Sequence, residues 1–262
     1  MNERFNHGIL REVSHRPWLM PDRPWVMTQT WHDLLFAHWP VDAAALATLV
    51  PPAFELDRFD GQAWLGIVPF RMTNVAPRCV PAVPGLSAFP ELNVRTYVTV
   101  GGKAGVYFFS LDAGSRLAVR AARRLFNLPY YTATMKVDRR GGSVVYASRR
   151  RGGSAASARG PRAHAELLAE YEPSGPVFEP ARGSLEHFLT ERYCLYALDR
   201  RSRPYRLDIH HPPWPLQAAR AGFERNTMAA AAGLPLPPVP PRLHFARRQD
   251  MVAWGPERLA TG

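Results

Sequence analysis

Two segments of alternating residues, joined by a short glycine turn, lie between residues 91 and 113. The first segment reads E-L-N-V-R-T-Y-V, the turn reads G-G-K-A, and the second segment reads G-V-Y-F-F-S-L-D-A. Paired glycines supply the positive φ angles of a tight turn, so the pattern predicts a β-hairpin with strands 91–100 and 105–112. The hairpin therefore predicts a fold based on a β-sheet.

The first strand of the hairpin has two chemically different sides. Side chains alternate between the faces of a strand, so one side carries Glu91, Asn93, Arg95 and Tyr97. A row of carboxylate, amide, guanidinium and phenol can line a cavity. The same alternation is also typical of a sheet with one face in water, and the residues leave both interpretations open.

The rest of the chain predicts many short strands and few helices. The W-H-D-L-L-F-A-H-W segment at 31–39 favours a strand, with a short helix as the alternative. Asp42 is placed to cap a helix over 43–49, and Ser115 to cap one through Phe126. Further strands are expected at 62–70, 130–137, 143–149, 204–211 and 243–254 and in R-Y-C-L-Y-A-L-D, while 163–172 fits strand or helix. About ten strands indicate a mainly antiparallel sheet that curls towards a barrel.

The helix after Ser115 is expected to be amphipathic. Its inward positions are predicted to be Ala118, Ala122 and Leu125, and its outward positions Arg116, Arg120 and Arg123.

The chain is expected to form one main domain. Residues 1–24 are polar and interrupted by proline, which predicts an N-terminal arm before a single domain over 25–262. Inside that domain, an Arg/Gly-rich loop at about 149–162 is predicted to be mobile, and the proline-rich segment 233–241 to be extended.

Composition argues against two classes of partner. The net charge of +11 suggests nucleic acid, but only two of the 33 Lys and Arg residues are lysines, which is typical of a GC-rich coding bias and leaves nucleic-acid binding disfavoured. Without an apolar run of about 18 residues or a signal-peptide core, we expect a cytoplasmic protein with no membrane partner. Cys79 and Cys194 fit no metal or redox motif. Self-association is left open.

Established catalytic and cofactor motifs are absent from the sequence. It contains no nucleophile elbow, phosphate loop or dinucleotide fingerprint, and we predict no cofactor. His32 and His38 would lie ~20 Å apart on a regular strand, too far to share a metal ion. The roles of His38, His210 and His211 are left unassigned.

Seven blocks of sequence are distinctive and occur in a fixed order. They are W-H-D-L-L-F-A-H-W-P, A-W-L-G-I-V-P-F, E-L-N-V-R-T-Y-V, G-V-Y-F-F-S-L-D-A, L-P-Y-Y-T-A-T-M, L-T-E-R-Y-C-L-Y and H-H-P-P-W-P-L-Q. Together they resemble the uncharacterised bacterial YqjF-like family. A fainter similarity, in the helix and the L-P-Y-Y segment, reaches the acetoacetate decarboxylase family. That resemblance implies an α+β, mainly antiparallel fold, a closed or nearly closed decorated β-barrel with an interior cavity.

The resemblance to the decarboxylases also implies a lost reaction. Members of that family carry two consecutive lysines, of which the first forms a Schiff base and the second lowers its pKa. Tyr130 and Tyr131 stand at the matching positions, and a phenol cannot form an imine. Lys103 is expected to be solvated in the hairpin turn, and Lys136 to be exposed at a strand end. By the same resemblance, Glu91 stands at the position of an acidic cavity residue of the decarboxylases. His32 stands near the position at which those enzymes have an arginine that binds the substrate carboxylate.

Two hypotheses of function follow. The first is a barrel protein that binds a small polar or anionic molecule, with a site formed by Glu91, Asn93, Arg95, Tyr97, Tyr107, Tyr130, Tyr131 and His32. In this hypothesis Arg95 anchors the anion, although an internal ion pair with Glu91 or Asp112 is equally compatible with the sequence. The second is a lyase or hydrolase with Glu91 as general acid or base and a tyrosine as its partner, so enzymatic activity stays undecided.

Overall fold

A computed structural model describes residues 4–83, 86–151 and 164–259, and strands dominate it. The strands are β1 (Met27–Val41), β2 (Glu55–Leu56), β3 (Ala63–Pro77), β4 (Phe89–Val100), β5 (Lys103–Ala113), β6 (Tyr130–Arg140), β7 (Ser143–Arg150), β8 (Glu166–Pro173), β9 (Cys194–Leu198), β10 (Pro204–His210), β11 (Leu216–Asn226), β12 (Arg242–Ala253) and β13 (Glu257–Arg258). The helices are a 3₁₀ helix (His7–Arg11), α1 (Ala43–Ala47), α2 (Arg116–Phe126), α3 (Leu185–Thr190) and α4 (Met228–Ala231).

The strand pairings form a partial barrel. β4 pairs with both β3 and β5, so the order β5–β6–β7–β8–β11–β12–β1–β3–β4 returns to β5. A smaller circuit branches off, because β9 pairs with β5 and β10 pairs with both β9 and β12. The ring is not evenly round, and its pairings are antiparallel except β5–β6 and β5–β9. The predicted mainly antiparallel, barrel-like fold with a few short helices is confirmed.

Two apolar clusters lie on opposite sides of β1, β3 and β4. The larger cluster fills the main ring and includes Leu35, Leu92 and Phe245, together with side chains from β7 and β8. The second cluster lies on the outer side and includes Phe36 and Trp214. Burial of side chains on both faces explains why these strands contain long apolar runs as well as alternation.

Several helix boundaries follow the expected local chemistry. The Asp42 carboxylate accepts a hydrogen bond from the Ala45 amide at 2.7 Å, and α2 begins after Ser115. Asn127 ends α2 in the left-handed conformation, with φ of 46°. Side-chain caps of this kind satisfy amides that a helix end leaves without partners.

The structure corrects three details of the sequence-based reading. Leu125 is 66% exposed and Val119 is the buried residue of α2, so the inward face of that helix was predicted wrongly at its end. β11 and α4 were not predicted, because L-Q-A-A-R-A-G-F-E-R-N is rich in small residues with little β-propensity. Pairing of β11 with β8 and β12 supplies the stabilisation that its own sequence lacks.

Other expectations have different outcomes. Residues 31–39 lie within β1 and residues 166–172 lie within β8, so both segments are strands rather than the helices that were the alternatives. Most of the loop predicted at 149–162 lies outside the described residues. None of the helices in the described ranges is long and apolar enough to cross a membrane.

Candidate functional site

The polar side of β4 faces away from the core of the main ring. Cross-strand pairing places Glu91 opposite Phe70 and Arg95 opposite Gly66 on β3, and directly paired residues share a face. Phe70 belongs to the outer apolar cluster. Glu91, Asn93 and Tyr97 are buried and Arg95 is partly buried, so this side of β4 is covered by protein.

The end of α3 and the residues after it cover this polar side. The Tyr97 hydroxyl donates a hydrogen bond of 2.7 Å to the Leu189 carbonyl, and the Arg95 Nη2 donates one of 3.2 Å to the same oxygen. Nε2 of His38 lies 2.6 Å from the Tyr97 hydroxyl oxygen. Burial and the positive charge of Arg95 hold the pKa of His38 well below its usual value, so its ring is neutral.

Gly66 makes the close packing of His38 and Arg95 feasible. A Cβ atom at this position would lie 3.0 Å from Cδ2 of His38, 3.1 Å from its Nε2 and 3.3 Å from Cγ of Arg95. The side chains of His38 and Arg95 therefore pack directly against the backbone of Gly66, in the volume that a larger side chain would occupy.

Arg95 has no acidic partner among the described residues. Its guanidinium lies 5.2 Å from the ring centre of Phe36 and 5.8 Å from that of Tyr97, which gives partial cation–π compensation. Nε of Arg95, Oδ1 of Asn93 and Nδ1 of His38 are buried and have no hydrogen-bond partner in the described structure. The ion pair of Arg95 with Glu91 or Asp112, which the sequence left open, is not formed.

Glu91 makes a different contact. The Tyr130 hydroxyl donates a hydrogen bond of 2.9 Å to Oε2 of Glu91. Burial raises the pKa of Glu91 to about 8, and the nearby Asp112 adds to the rise, although the bond from Tyr130 opposes it. The carboxyl group is consequently mostly protonated near neutral pH, and it can donate as well as accept a hydrogen bond.

Asp112 and Tyr131 belong to another cluster, which involves Arg150. Nε of Arg150 donates hydrogen bonds of 3.0 and 3.1 Å to the two carboxylate oxygens of Asp112, and its guanidinium lies 3.9 Å from the centre of the Tyr131 ring. Burial raises the pKa of Asp112 to about 6, against the lowering effect of Arg150. The consecutive tyrosines therefore contact different residues. Tyr130 donates a hydrogen bond to Glu91, and the ring of Tyr131 stacks against Arg150.

Two further candidate residues lie away from Glu91 and Arg95. Tyr107 packs against Phe54 and Phe109, with ring centres 5.8 and 5.3 Å away. His32 lies on β1 opposite Arg71 of β3, and its Nε2 is 2.7 Å from the Thr73 hydroxyl rather than bonded to Glu91 or Arg95. The structure brings together Glu91 with Tyr130, and Arg95 with Asn93 and Tyr97, but it does not place Tyr107 or His32 with them.

The two lysines also lie outside the β4 polar side. Nζ of Lys103 is 2.6 Å from Oδ1 of Asp208, and the lysine side chain is only 13% exposed. The expectation of a solvated Lys103 was therefore wrong, because the start of β5 packs against β9 and β10. Lys136 is 76% exposed beside Asp138, as predicted.

Sequence reasoning missed His38 and His244 as members of the site. His244 lies opposite Phe36 on the neighbouring strand β12, and its Nδ1 is buried without a hydrogen-bond partner in the described structure. His38 had been considered only for metal binding with His32. No group of three or more His, Cys, Asp or Glu side chains that could hold a metal ion occurs within the described ranges.

Comparison with known proteins gives matches over almost the whole chain. The DUF2071 family, described as an uncharacterized conserved protein, matches residues 28–250. The uncharacterized protein YqjF of Bacillus subtilis strain 168 is 48% identical over 254 residues, which cover 97% of this chain and 98% of YqjF.

Solved structures with the same architecture are much more distant in sequence. Acetoacetate decarboxylase from Legionella pneumophila has a TM-score of 0.60 at 14% identity, covering 99% of this chain and 98% of that one. An acetoacetate decarboxylase-like enzyme from Sphingomonas wittichii gives 0.60 at 14% identity, over 94% and 98% of the two chains. The enduracididine biosynthesis enzyme MppR, in complex with pyruvate, gives 0.59 at 12% identity, over 94% and 93%. Similarity at this level of identity shows the fold alone, and the chain belongs to the DUF2071 family with an acetoacetate decarboxylase-like fold.

Proposed function

We propose that this protein binds a small carboxylate at the Arg95 end of the β4 polar side. The observation that carries the proposal is the partly buried guanidinium of Arg95 without an acidic partner among the described residues. A cation removed from water costs free energy unless an opposite charge or strong hydrogen bonds compensate it. A bound carboxylate supplies both, since the guanidinium fork can donate two parallel hydrogen bonds to it.

The unpartnered polar atoms beside Arg95 suit a hydroxyl group on the rest of such a ligand. Oδ1 of Asn93 can accept a hydrogen bond. Nδ1 of the neutral His38 can also accept one, because the Tyr97 hydroxyl donates to Leu189 and the ring hydrogen of His38 is therefore on Nε2. Four residues separate Glu91 from Arg95, which corresponds to ~13 Å along a strand. A ligand of three or four carbon atoms held by Arg95 therefore reaches Asn93 and His38 rather than Glu91.

Binding without a Schiff base is part of this proposal. The pairing of Lys103 with Asp208 and the exposure of Lys136 beside Asp138 support binding without an imine. One structural neighbour is described in complex with pyruvate, which makes pyruvate a sensible first probe. Borohydride reduction in the presence of pyruvate should leave the protein mass unchanged, and an adduct on either lysine would contradict this part of the proposal.

Isothermal titration calorimetry with acetate, pyruvate and acetoacetate tests the binding site. Arg95→Gln should abolish binding that the wild type shows, and Arg95→Lys should weaken it because the planar fork is lost. Arg220→Gln, at an exposed arginine on β11, removes the same charge elsewhere and should bind like the wild type. Equal affinities of wild type and Arg95→Gln for every carboxylate would refute the proposal.

A second candidate function is acid–base catalysis at Glu91. It is favoured by the pKa of about 8 and by the hydrogen bond from Tyr130, because an acid that titrates near neutral pH can both give and take a proton. A screen of lyase and hydrolase substrates with wild type and Glu91→Gln tests it. Turnover that survives unchanged in Glu91→Gln would rule out this role.

A further inference from the structure

Five arginines line one open groove beside α2, on a different part of the surface from Arg95. The groove has a volume of about 610 Å³, and we call it the arginine groove; it is lined by Arg116, Arg120, Arg123, Arg124 and Arg200, together with Leu117, Val119 and Thr132. The groove therefore combines residues from α2, β6 and the β9–β10 turn.

Tertiary contacts fix the walls of the arginine groove. The Asn127 side chain donates a hydrogen bond of 2.7 Å to the Leu198 carbonyl, which holds the β9–β10 turn against the end of α2. Nε of Arg123 donates one of 2.7 Å to the Tyr130 carbonyl at the start of β6. These two bonds join α2 to the start of β6 and to the end of β9, next to the turn that carries Arg200.

The positive charge of the groove is not balanced by acidic side chains. Arg116, Arg120, Arg124 and Arg200 form no ion pair within the part of the chain that the structure describes. Arg116, Arg120 and Arg124 are exposed at a spacing of four residues, where like charges on a helix repel each other. The helix dipole favours cations in the last turn only, so it accounts for Arg123 and Arg124 but not for Arg116, Arg120 or Arg200.

We propose that the arginine groove binds the diphosphate or polyphosphate group of a small phosphorylated molecule. Guanidinium groups bind phosphate oxygens bidentately, and several negative charges on adjacent phosphates match several arginines better than one carboxylate does. A volume of about 610 Å³ falls in the usual range for small-ligand sites. Leu117, which is 61% exposed at the groove, offers an apolar contact for the uncharged part of the molecule.

Geometry favours a compact ligand over a long polyanion. An α2 of 11 residues extends only ~16 Å, which limits how many nucleic-acid phosphates it can follow. Among the residues that the structure describes, the groove lining contains no aromatic side chain on which an unpaired base could stack. Leu117 and Leu125 are too few for an apolar face that would insert into a lipid surface.

Titration of inorganic pyrophosphate and tripolyphosphate at low salt, followed by calorimetry and thermal unfolding, tests the proposal. The wild type should bind tripolyphosphate more tightly than pyrophosphate, with a raised Tm. Arg116→Gln/Arg120→Gln should lose at least tenfold in affinity. The matched variant Arg220→Gln/Arg242→Gln removes two exposed arginines outside the groove and should bind like the wild type.

The same variants separate a binding role from a structural one. Without ligand, Arg116→Gln/Arg120→Gln should unfold at the same temperature as the wild type or higher, because repulsion between the two arginines is relieved and neither lies in the last turn of α2. The proposal would be overturned if the groove double variant had a lower Tm than the wild type without ligand. It would also be overturned if both double variants lost binding equally, or if the wild type bound neither phosphate. Tighter binding of single-stranded RNA or of anionic phosphatidylserine vesicles than of tripolyphosphate would overturn it as well. Arg95 variants should leave phosphate binding unchanged, so this test is independent of the carboxylate site.

Discussion

The Tyr130 hydroxyl and the Glu91 carboxyl are joined by a hydrogen bond of 2.9 Å in a buried site. The bond links the start of β6 to β4, although these strands are not neighbours in the sheet. Because the pKa of Glu91 is raised to about 8, its protonation makes the free energy of unfolding depend on pH. The same proton is the one used in the proposed acid–base chemistry.

Glu91→Gln should change how stability depends on pH. A pKa raised by folding means that the folded state holds a proton that the unfolded state releases above pH about 4.5, so the contribution of Glu91 is full below that pH and is lost as pH rises towards 8. The amide variant lacks this loss. Its stability relative to wild type should therefore rise between pH 5 and 8, by up to about 1 kcal/mol per pH unit. Urea unfolding of both proteins at several pH values measures this, and parallel curves would contradict it.

Tyr130→Phe and Tyr131→Phe should behave differently although the residues are adjacent. Loss of the Tyr130 hydroxyl removes a buried hydrogen bond and should cost ~1 kcal/mol. The pKa of Glu91 should rise further, since that bond lowers it. Tyr131→Phe keeps the ring beneath Arg150 and should be nearly neutral. Chemical denaturation and carboxyl-selective NMR titration provide the readouts; similar effects of both substitutions would argue against the two separate environments.

Gly66→Ala should be strongly destabilising while Gly222→Ala is not. The new methyl group at 66 would press on His38 and Arg95 at 3.0 to 3.3 Å, and we expect a loss of about 1–3 kcal/mol. At Gly222 an added Cβ meets nothing within 4 Å, so a small gain is expected from the lower flexibility of the unfolded chain. Thermal unfolding distinguishes the pair, and an unaffected Gly66→Ala protein would show that His38 and Arg95 can move aside.

Acidification should destabilise the protein through His210. Its Nε2 lies 2.8 Å from the Ile9 carbonyl and its Nδ1 lies 3.1 Å from Nη1 of Arg16, so the neutral ring with hydrogen on Nε2 satisfies both contacts. Burial, together with the neighbouring Arg16 guanidinium, lowers the pKa of His210 to about 4, although the hydrogen bond to the Ile9 carbonyl opposes the shift. The unfolded state thus binds a proton below pH about 6.5 that the folded state takes up only near 4, and stability falls over that interval.

A glutamine substitution isolates this effect. His210→Gln should lose less stability than wild type between pH 6.5 and 4, by up to about 1 kcal/mol per pH unit. His164→Gln, at an exposed histidine, serves as the control and should follow the wild-type curve. If His210→Gln and wild type lose stability equally over this interval, another group governs the acid response.

Local chemistry allowed the hairpin and α2 to be predicted from sequence. Glycines at 101 and 102 have φ of 55° and 76°, and Asn127 is left-handed, which are conformations that these residue types favour. β11 escaped prediction because its stability depends on pairing with strands distant in sequence. Leu125 was misplaced because helical periodicity shows which residues share a face but not where the packed surface ends.

The candidate site was predictable only in part. Alternation correctly grouped Glu91, Asn93 and Arg95 on one side of β4. The partner of each charged group depends on contacts with residues distant in sequence. Arg150 pairs with Asp112 and Tyr130 bonds Glu91, so Arg95 has no acidic partner among the described residues. His38 could be assigned to the candidate site only from the structure, which places its ring beside Arg95 over Gly66. Nothing adjacent to His38 in the sequence indicates this contact.

The two sides of β4 contribute to different parts of the molecule. Leu92 and Val94 pack in the ring core, whereas the Glu91 carboxyl and the Arg95 guanidinium make their contacts on the outer side, with Tyr130 and Leu189. A substitution at an outward position of β4 therefore leaves the packing inside the ring unchanged, and the proposed carboxylate site can be altered without rebuilding the hydrophobic interior.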